Sequence, residues 1–386
     1  MKTGFRLFTI ILLFLPLSCK KEEPPCTTCP PPPPTNCQYP AGNRSFTWRS
    51  DTVAWFPSTL GGVWAFSDSD AYLMGNIIQY PSGHFAGYVG LHWNGSRWDT
   101  NINGSVQEIQ HVASDVAGDD HHMVSVGNWS ITPPKPALGE FDNRTKRWQG
   151  YQFQTQGELR SVWTDGKGYF IAVGDNGMVY TKDGYTAGWV YSQAPTDFNF
   201  YKVSAVSKDE VYVLGYKNPA SGQSYTQVLK YDGQSWIKMY DTEDSTGQAL
   251  PLGGEQITDV VPMRCSITDS LKLFTTGSNS YLFESKGGGL QFLKINLAEW
   301  GLPLQSNGRT GLDINGYSPD DLWIFGTRYN FYHWNGSDFQ RMIIPGLPNN
   351  DTQFGDQRRM AKTSTGRLFL PTEVSSQVYV VVQGIP

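Results

Sequence analysis

Chemistry in this chain would have to come from a few groups of side chains. Asp119-Asp120-His121-His122 has the residue types of a divalent-metal cluster, and Cys26-Thr27-Thr28-Cys29 has the spacing of half a zinc site. No second ligand pair at zinc-finger spacing follows it. The 35 acidic residues could supply the two carboxylates of a glycosidase, but no spacing selects a pair. The sequence contains no Ser-His-Asp arrangement, phosphate-cradling glycine loop or HExxH helix. No catalytic residue is assigned, no metal or cofactor is expected, and a binding role is preferred to an enzymatic one.

The elements that would position these residues repeat. Six strand-like stretches end on Gly75, Gly127, Gly174, Gly215, Gly277 and Gly326, each after an acidic or polar turn. These glycines stand 52, 47, 41, 62 and 49 residues apart, the period of propeller blades with loop insertions. The stretches before them, such as Tyr169-Phe170-Ile171-Ala172-Val173 and Leu322-Trp323-Ile324-Phe325, are near-continuous apolar runs, as in strands covered on both faces. A second hairpin follows in each unit. Asn94-Gly95, Asp183-Gly184, Asp232-Gly233 and Asn335-Gly336 predict tight turns with both central residues at positive φ. Gly287-Gly288 serves in unit five, and Asp142-Asn143-Arg144-Thr145 makes a longer turn in unit two. Trp98, Trp148, Trp189, Trp236, Phe292 and Phe339 come after these turns and are expected to pack between sheets.

Placed in this frame, Asp119-Asp120-His121-His122 falls on the turn between first and second strands. Other units carry Ser67-Asp68-Ser69-Asp70, Ser207-Lys208-Asp209-Glu210 and Ser318-Pro319-Asp320-Asp321 there. Short polar side chains favour turns by bonding their own backbone, so a turn role is preferred to a metal role. His92 and His333 both precede a Trp on the third strand and are read as structural.

A weaker unit closes the chain, with Met360-Ala361-Lys362, Gly366-Arg367-Leu368-Phe369-Leu370 and Val378-Tyr379-Val380-Val381-Val382 as three strands. Its fourth strand is expected from Ser45-Phe46-Thr47-Trp48. The reading is an all-β fold: a seven-bladed β-propeller, with six or eight blades as alternatives, whose N-terminal strand closes the last blade. Unit three combines Val162-Trp163, Gly174-Asp175-Asn176-Gly177, Thr181-Lys182-Asp183-Gly184 and Trp189. It resembles the repeat of photosystem II assembly-factor-like and sialidase-type propellers. Their Asp-box reads Ser or Thr, any, Asp, any, Gly, any, Thr, Trp. Here Gly falls one place early, Thr is displaced and Trp is one place late. In those families the box is a folding element away from the active site, so the resemblance implies a fold and no catalysis. Sialidases also need an arginine cluster, and no spacing selects three from Arg160, Arg264, Arg309, Arg328, Arg358 and Arg359.

Residues 1–18 read as an export signal, with Lys2 and Arg6 ahead of a short apolar core from Leu7 to Leu17. That core is shorter than the roughly 20 residues a spanning helix needs. Leu15-Pro16-Leu17-Ser18-Cys19 resembles a bacterial lipobox, which implies that Cys19 carries lipid. Lys20-Lys21-Glu22-Glu23 resembles the signal that sends Bacteroidetes lipoproteins to the outer face of the outer membrane. Residues 19–44 form a tether in which Pro30 to Pro34 make a stiff extended spacer. Residues 45–386 form the propeller. Cys26, Cys29, Cys37 and Cys265 allow three disulfide connectivities, with Cys26–Cys29 and Cys37–Cys265 favoured over the others and free thiols an alternative.

A net charge of −5 with 17% charged residues excludes the basic stripe that nucleic acid demands and gives no polybasic contact to anionic lipid. In a propeller the connections between second and third strands, and between blades, share one face. The long segments all belong to that group: Asn76 to Gly87, Asn128 to Leu138, Tyr216 to Thr226, Asp241 to Glu255, Asn296 to Gly311 and Pro345 to Gln357. They carry the candidate ligand-binding residues Tyr80, His84, Phe85, Trp129, Tyr216, Tyr225, Trp300 and Phe354. The expected function is a lipid-anchored surface protein with a monomeric head that binds or scaffolds glycan or protein through this face. A polysaccharide-degrading hydrolase or lyase, or a structural cell-envelope protein, is the alternative.

Overall fold

Each unit is built from local turns that need few special residues. The Oγ atoms of Ser67, Ser207 and Ser318 accept the N–H two residues ahead, at 3.3, 3.3 and 3.4 Å, and close the turn between first and second strands. The second hairpins differ from expectation. Those at Asn94-Gly95, Asp232-Gly233 and Asn335-Gly336 are four-residue turns, flanked by the pairs Trp93↔Trp98, Tyr231↔Trp236 and Trp334↔Phe339. Asn94 Oδ1 accepts Ser96 N and Arg97 N at 3.1 Å, and Asp232 Oδ1 accepts Gln234 N at 3.0 Å and Ser235 N at 2.7 Å. The side chain thus holds the turn, and of the two central residues only glycine takes positive φ: 91° at Gly95, 90° at Gly233, 93° at Gly336.

The computed structural model describes residues 42–79, 86–102, 111–219, 224–244, 250, 257–264, 271–277, 281–286, 289–293, 313–325, 331–336, 339–345, 359–375 and 378–386. The strands form five four-stranded antiparallel sheets and one seven-stranded sheet. The larger sheet is two four-stranded groups that share Thr47–Ser67. The first part of that strand pairs with Val378–Ile385, from Thr47↔Ile385 to Trp55↔Val378, and the second with Asp70–Gln79, from Thr59↔Asn76 to Ser67↔Asp70. The N-terminal strand therefore closes the C-terminal unit, as its sequence suggests.

Apolar clusters fill the gaps between consecutive sheets. Tyr72 and Met74 meet Val116, Phe141 and Trp148 across one gap, and Phe325 and Phe331 meet Leu368 and Val382 across another. Val63 and Trp93 meet Phe369 and Val381 where the first and last units join. The recurring tryptophans belong to these layers: Trp148, Trp189 and Trp236 each pack on a cluster that spans two sheets, and Trp98 on the one between the two halves of the seven-stranded sheet. Full burial of one large side chain is worth roughly 1.5–3 kcal/mol, so these layers dominate the cohesion of the ring.

Two stretches expected as loops are strands. Asn76–Gln79 continues its strand beyond Gly75, and His122–Ile131 and Pro134–Asp142 leave only Thr132-Pro133 as their connection. The second of these strands carries prolines at 134 and 136. They share one strand edge, where their carbonyls accept Gly157 N and Phe153 N at 3.0 Å. The N–H groups they lack would face that same outer edge, so the hairpin loses no ladder bond.

Candidate binding surface at the axial mouth

The anchoring glycines create a recurrent irregularity. A Cβ at Gly75, Gly127 or Gly174 would overlap the carbonyl of Thr59, Val112 or Glu158 on the inner strand. Beside each glycine the inner strand bulges by one residue. Leu60↔Gly75 is followed by Gly62↔Met74, Ala113↔Gly127 by Asp115↔Val126, Leu159↔Gly174 by Ser161↔Val173. Phe200↔Gly215 is followed by Lys202↔Leu214, and Ile257↔Gly277 by Asp259↔Thr276. The skipped residues are Gly61, Ser114, Arg160, Tyr201 and Thr258. A bulge frees its extra residue from the ladder and re-aims its side chain. These five stand at the end of the inner strands reached by the long connections.

The residues one step deeper tie the inner edges together. Asp115 accepts Val116 N at 2.8 Å in its own sheet, and Val162 N at 3.1 Å and Ser161 Oγ at 2.8 Å from the next. Ser161 Oγ accepts Val203 N at 3.2 Å, and Asp259 accepts Val260 N at 2.7 Å and Ile314 N at 2.6 Å. Lys202 lies 3.4 Å from Asp259 and bonds Asp313. Arg359 crosses above Gly62, bonds the carbonyls of Val116 at 2.9 Å and Val162 at 2.6 Å, and pairs with Asp115 at 3.4 Å. Burial drives the Asp259 carboxyl well up, against Lys202 and with Asp313 adding to the rise. Burial also pushes Asp313 up, but Lys202 outweighs it and holds that carboxyl down. Inner strands present unpaired N–H groups at the axis, and this ring satisfies them across sheet boundaries. Its geometry is that of a clasp.

The mouth above the clasp is more open. Ser114 Oγ donates to Glu158 Oε1 at 2.9 Å. Arg160 pairs with Asp175 Oδ1 at 2.8 Å and Glu158 Oε2 at 3.2 Å. Burial works against the Arg160 charge, but these carboxylates raise its guanidinium further. Tyr201 is 45% exposed and stands edge-on to Tyr216, with ring centroids 5.8 Å apart. Tyr216 donates its hydroxyl to the Ile257 carbonyl, which locks that ring to the next sheet. Asn176 takes a left-handed φ of 54°, its N–H donating to Asn199 Oδ1 and its carbonyl accepting from Gln193 Nε2, both at 3.0 Å. The result is a preorganised ledge of one clamped cation and one exposed aromatic ring.

Of the candidates from sequence, Tyr216 belongs to this mouth. Trp129 is half-buried on the protruding hairpin, where its Nε1 donates to the Phe153 carbonyl at 3.5 Å and the Lys135 ammonium covers its ring at 5.2 Å. Tyr225 is half-buried opposite Lys217. All three are on strands, not loops. Tyr80, His84, Phe85, Trp300, Phe354, Cys19, Cys26, Cys29, Cys37 and Cys265 lie outside the described residues. Asp119 caps its own turn, with His121 N at 2.8 Å and His122 N at 2.7 Å on Oδ1 and Tyr185 Oη at 2.9 Å on Oδ2. Both oxygens have donors, and the His122 ring stacks on Tyr185 at 4.3 Å.

Sequence reading missed Ser114, Arg160 and Tyr201. A signal was present: Ser114-Asp115-Val116, Arg160-Ser161-Val162, Tyr201-Lys202-Val203 and Thr258-Asp259-Val260 share a polar residue before Val in an otherwise apolar strand.

No family model and no curated protein matches this sequence. Among solved structures, one described as YCF48 bound to D1 peptide aligns with a TM-score of 0.56 at 11% identity, covering 90% of this chain and 98% of that one. YCF48 from Cyanidioschyzon merolae aligns with a TM-score of 0.53 at 14% identity, covering 88% and 99%. The chain folds as a β-propeller. At these identities the likeness is one of fold, and it bears out the photosystem II assembly-factor-like resemblance of unit three at that level.

Proposed function

We propose that this propeller has seven blades and is a binding protein that receives a segment of a partner protein at the axial mouth. Counting the two parts of Thr47–Ser67 as separate strands supports the blade number. One observation carries the functional reading: the bulged residues at the mouth differ from unit to unit, and Tyr201 stands exposed there. A structural neighbour is described with a peptide bound, which supports protein over glycan as the ligand class. Glu158 and Asp175 are both engaged with one guanidinium, so neither is placed as the free acid of a glycosidase pair. The lipobox-like Cys19 supports lipid anchoring, and the Lys20-Lys21-Glu22-Glu23 resemblance supports the outer face of the outer membrane as its place.

Peptide and glycan arrays probed with the full chain test this reading. Peptides should bind, and Tyr201→Ala and Arg160→Ala should each weaken binding about tenfold or more, as for a central anchor residue. Trp129→Ala should leave binding within about twofold. Binding confined to glycans, or indifferent to Tyr201, overturns the proposal.

A further inference from the structure

The cations beside the mouth in units three and four are outnumbered. Arg160 lies between Asp175 at 2.8 Å and Glu158 at 3.2 Å. In unit four Lys217 lies between Asp197 at 2.9 Å and Glu243 at 3.0 Å. On the outer strand of that unit Lys238 lies between Asp244 at 2.6 Å and Asp241 at 3.7 Å. Register places these groups at the long-connection end. Lys217 follows Tyr216, which pairs with Asn199 at the start of the inner strand, and Asp241 pairs with Gln227, itself opposite Gly215. Above the clasp, three cations thus face six carboxylates. The unmatched negative charge steps from the inner strand of unit three, across the second strand of unit four, to the outer strand. It is also on the surface, because the side chains of Asp197, Glu243 and Asp244 are 68, 39 and 48% exposed. Exposed ion pairs add little to stability, so folding does not explain a second carboxylate on each cation.

The exposed ring at the mouth lacks what other rings have. Lys135 covers Trp129 at 5.2 Å, Lys217 covers Phe198 at 5.5 Å and Lys362 covers Tyr317 at 5.5 Å. Among the described residues no cation covers Tyr201 in this way. The ring and the first triad flank one joint: Asn199, two residues before Tyr201, accepts the N–H of Asn176, the residue after Asp175. An aromatic face attracts a cation, and the attraction grows where water is displaced. On the other side of Arg160, Lys135 stands on the hairpin of unit two and would repel a second cation.

We infer that the partner segment is basic, with one lysine or arginine side chain on the Tyr201 ring and further cations along Asp197, Glu243 and Asp244. This names the chemistry of the partner and rests on the reading of the mouth as a peptide site. Two carboxylates offset the charge of Arg160, so it serves such a segment as a fixed hydrogen-bond donor to backbone carbonyls. The surplus carboxylates act at longer range and speed the encounter.

The test uses three peptide libraries of equal length and equal aromatic content: one rich in lysine and arginine, one uncharged, one rich in glutamate. Each is arrayed and probed with the full chain. The tightest basic peptide should bind about tenfold better than the tightest uncharged one, and the glutamate-rich peptides should bind worst. The preference should shrink as ionic strength rises from about 0.05 to about 0.5 M. Asp197→Lys should weaken the basic peptide about fivefold, chiefly by slowing association, and the milder Asp197→Asn and Glu243→Gln about twofold each. Tyr201→Leu keeps apolar area at the site and should lose about threefold of the preference for basic peptides. Asp120 is exposed in a turn at the opposite end, so Asp120→Lys makes the same change in net charge and should leave affinity within about twofold. Binding that ignores peptide charge, or equal effects of Asp197→Lys and Asp120→Lys, overturns this inference and leaves the peptide-site reading standing. If no member of any library binds, both fall.

Discussion

The two ends of this propeller are organised differently. At the short-turn end, units repeat one device. An acid is held by a partner in its own sheet or the next, and a cation of the following unit closes the joint. Asp70 bonds His92 at 2.7 Å and Lys146 at 2.8 Å; Glu210 bonds Lys230 at 2.8 Å and Arg264 at 2.8 Å; Asp321 bonds His333 at 2.9 Å and Lys362. Glu140 takes Lys182 at 2.8 Å and Trp189 Nε1 at 2.6 Å from the next unit. At the long-connection end the equivalent positions hold Gly61, Ser114, Arg160, Tyr201 and Thr258, and no shared device uses them. A position that does one job in every unit is structural. A position whose residue changes while the backbone stays the same is available for recognition.

This contrast can be broken from either side. The largest effect should come from Lys182→Met. Lys182 and Glu140 are both nearly fully buried, and loss of the ammonium leaves a buried carboxylate without its counter-charge. Breaking such a pair costs about 3–5 kcal/mol, read by denaturant unfolding, and peptide affinity of the folded protein should not change. A loss of affinity without a loss of stability would contradict the division between the ends.

Acid should act first through buried imidazoles, at both ends of the ring, and then through the carboxylates. His111 precedes the second inner strand, and burial pushes its imidazole down to about 4. The unfolded chain takes a proton below about pH 6.5, while the folded chain resists until about pH 4. Stability should therefore fall across that window, by up to about 3 kcal/mol, and His111→Gln should flatten the fall. At the short-turn end burial likewise pushes the His122 and His333 imidazoles down, so that end also begins to lose stability below about pH 6.5, and only its carboxylates respond later. Burial raises the carboxyls of Asp70, Glu210 and Asp321, but hydrogen bonds from their partners together with the nearby Lys and Arg charges outweigh it and hold all three down. Their contribution is present above their unfolded values and is lost as pH falls through the lower folded values, below about pH 4. Hydrogen exchange resolved by unit at pH 7, 5 and 3.5 checks the order.

Tyr201→Ala should change stability least, within about 1 kcal/mol, because an exposed ring contributes little to the folded state. Its effect belongs to binding. Thermal unfolding and peptide affinity measured on one preparation separate the two.

Much of the fold was legible because its signals are local. Glycines at a regular period, Ser and Asp at fixed turn positions, and Ser45-Phe46-Thr47-Trp48 facing a unit without a fourth strand all act within a few residues or across one ladder. The site was less legible. The bulge at Arg160 exists because Gly174, in the next strand, lets the Glu158 carbonyl approach where a Cβ would sit, and that contact is a tertiary event. Trp129 was placed on a loop because the second strand was ended at Gly127, whereas the hairpin runs on to Ile131 and its prolines use an edge that needs no donor. Tyr201 was hidden because an aromatic next to Phe200 in a strand reads as one more packing residue.

Photo-crosslinking tests the assignment of the mouth most directly. A photoreactive amino acid is placed at position 201 or position 234 of the full chain, which is irradiated with the peptide that the array selects. Crosslinks at 201 and none at 234 are predicted. Crosslinks at 234, with 201 silent, would show that the regular end is the one that binds.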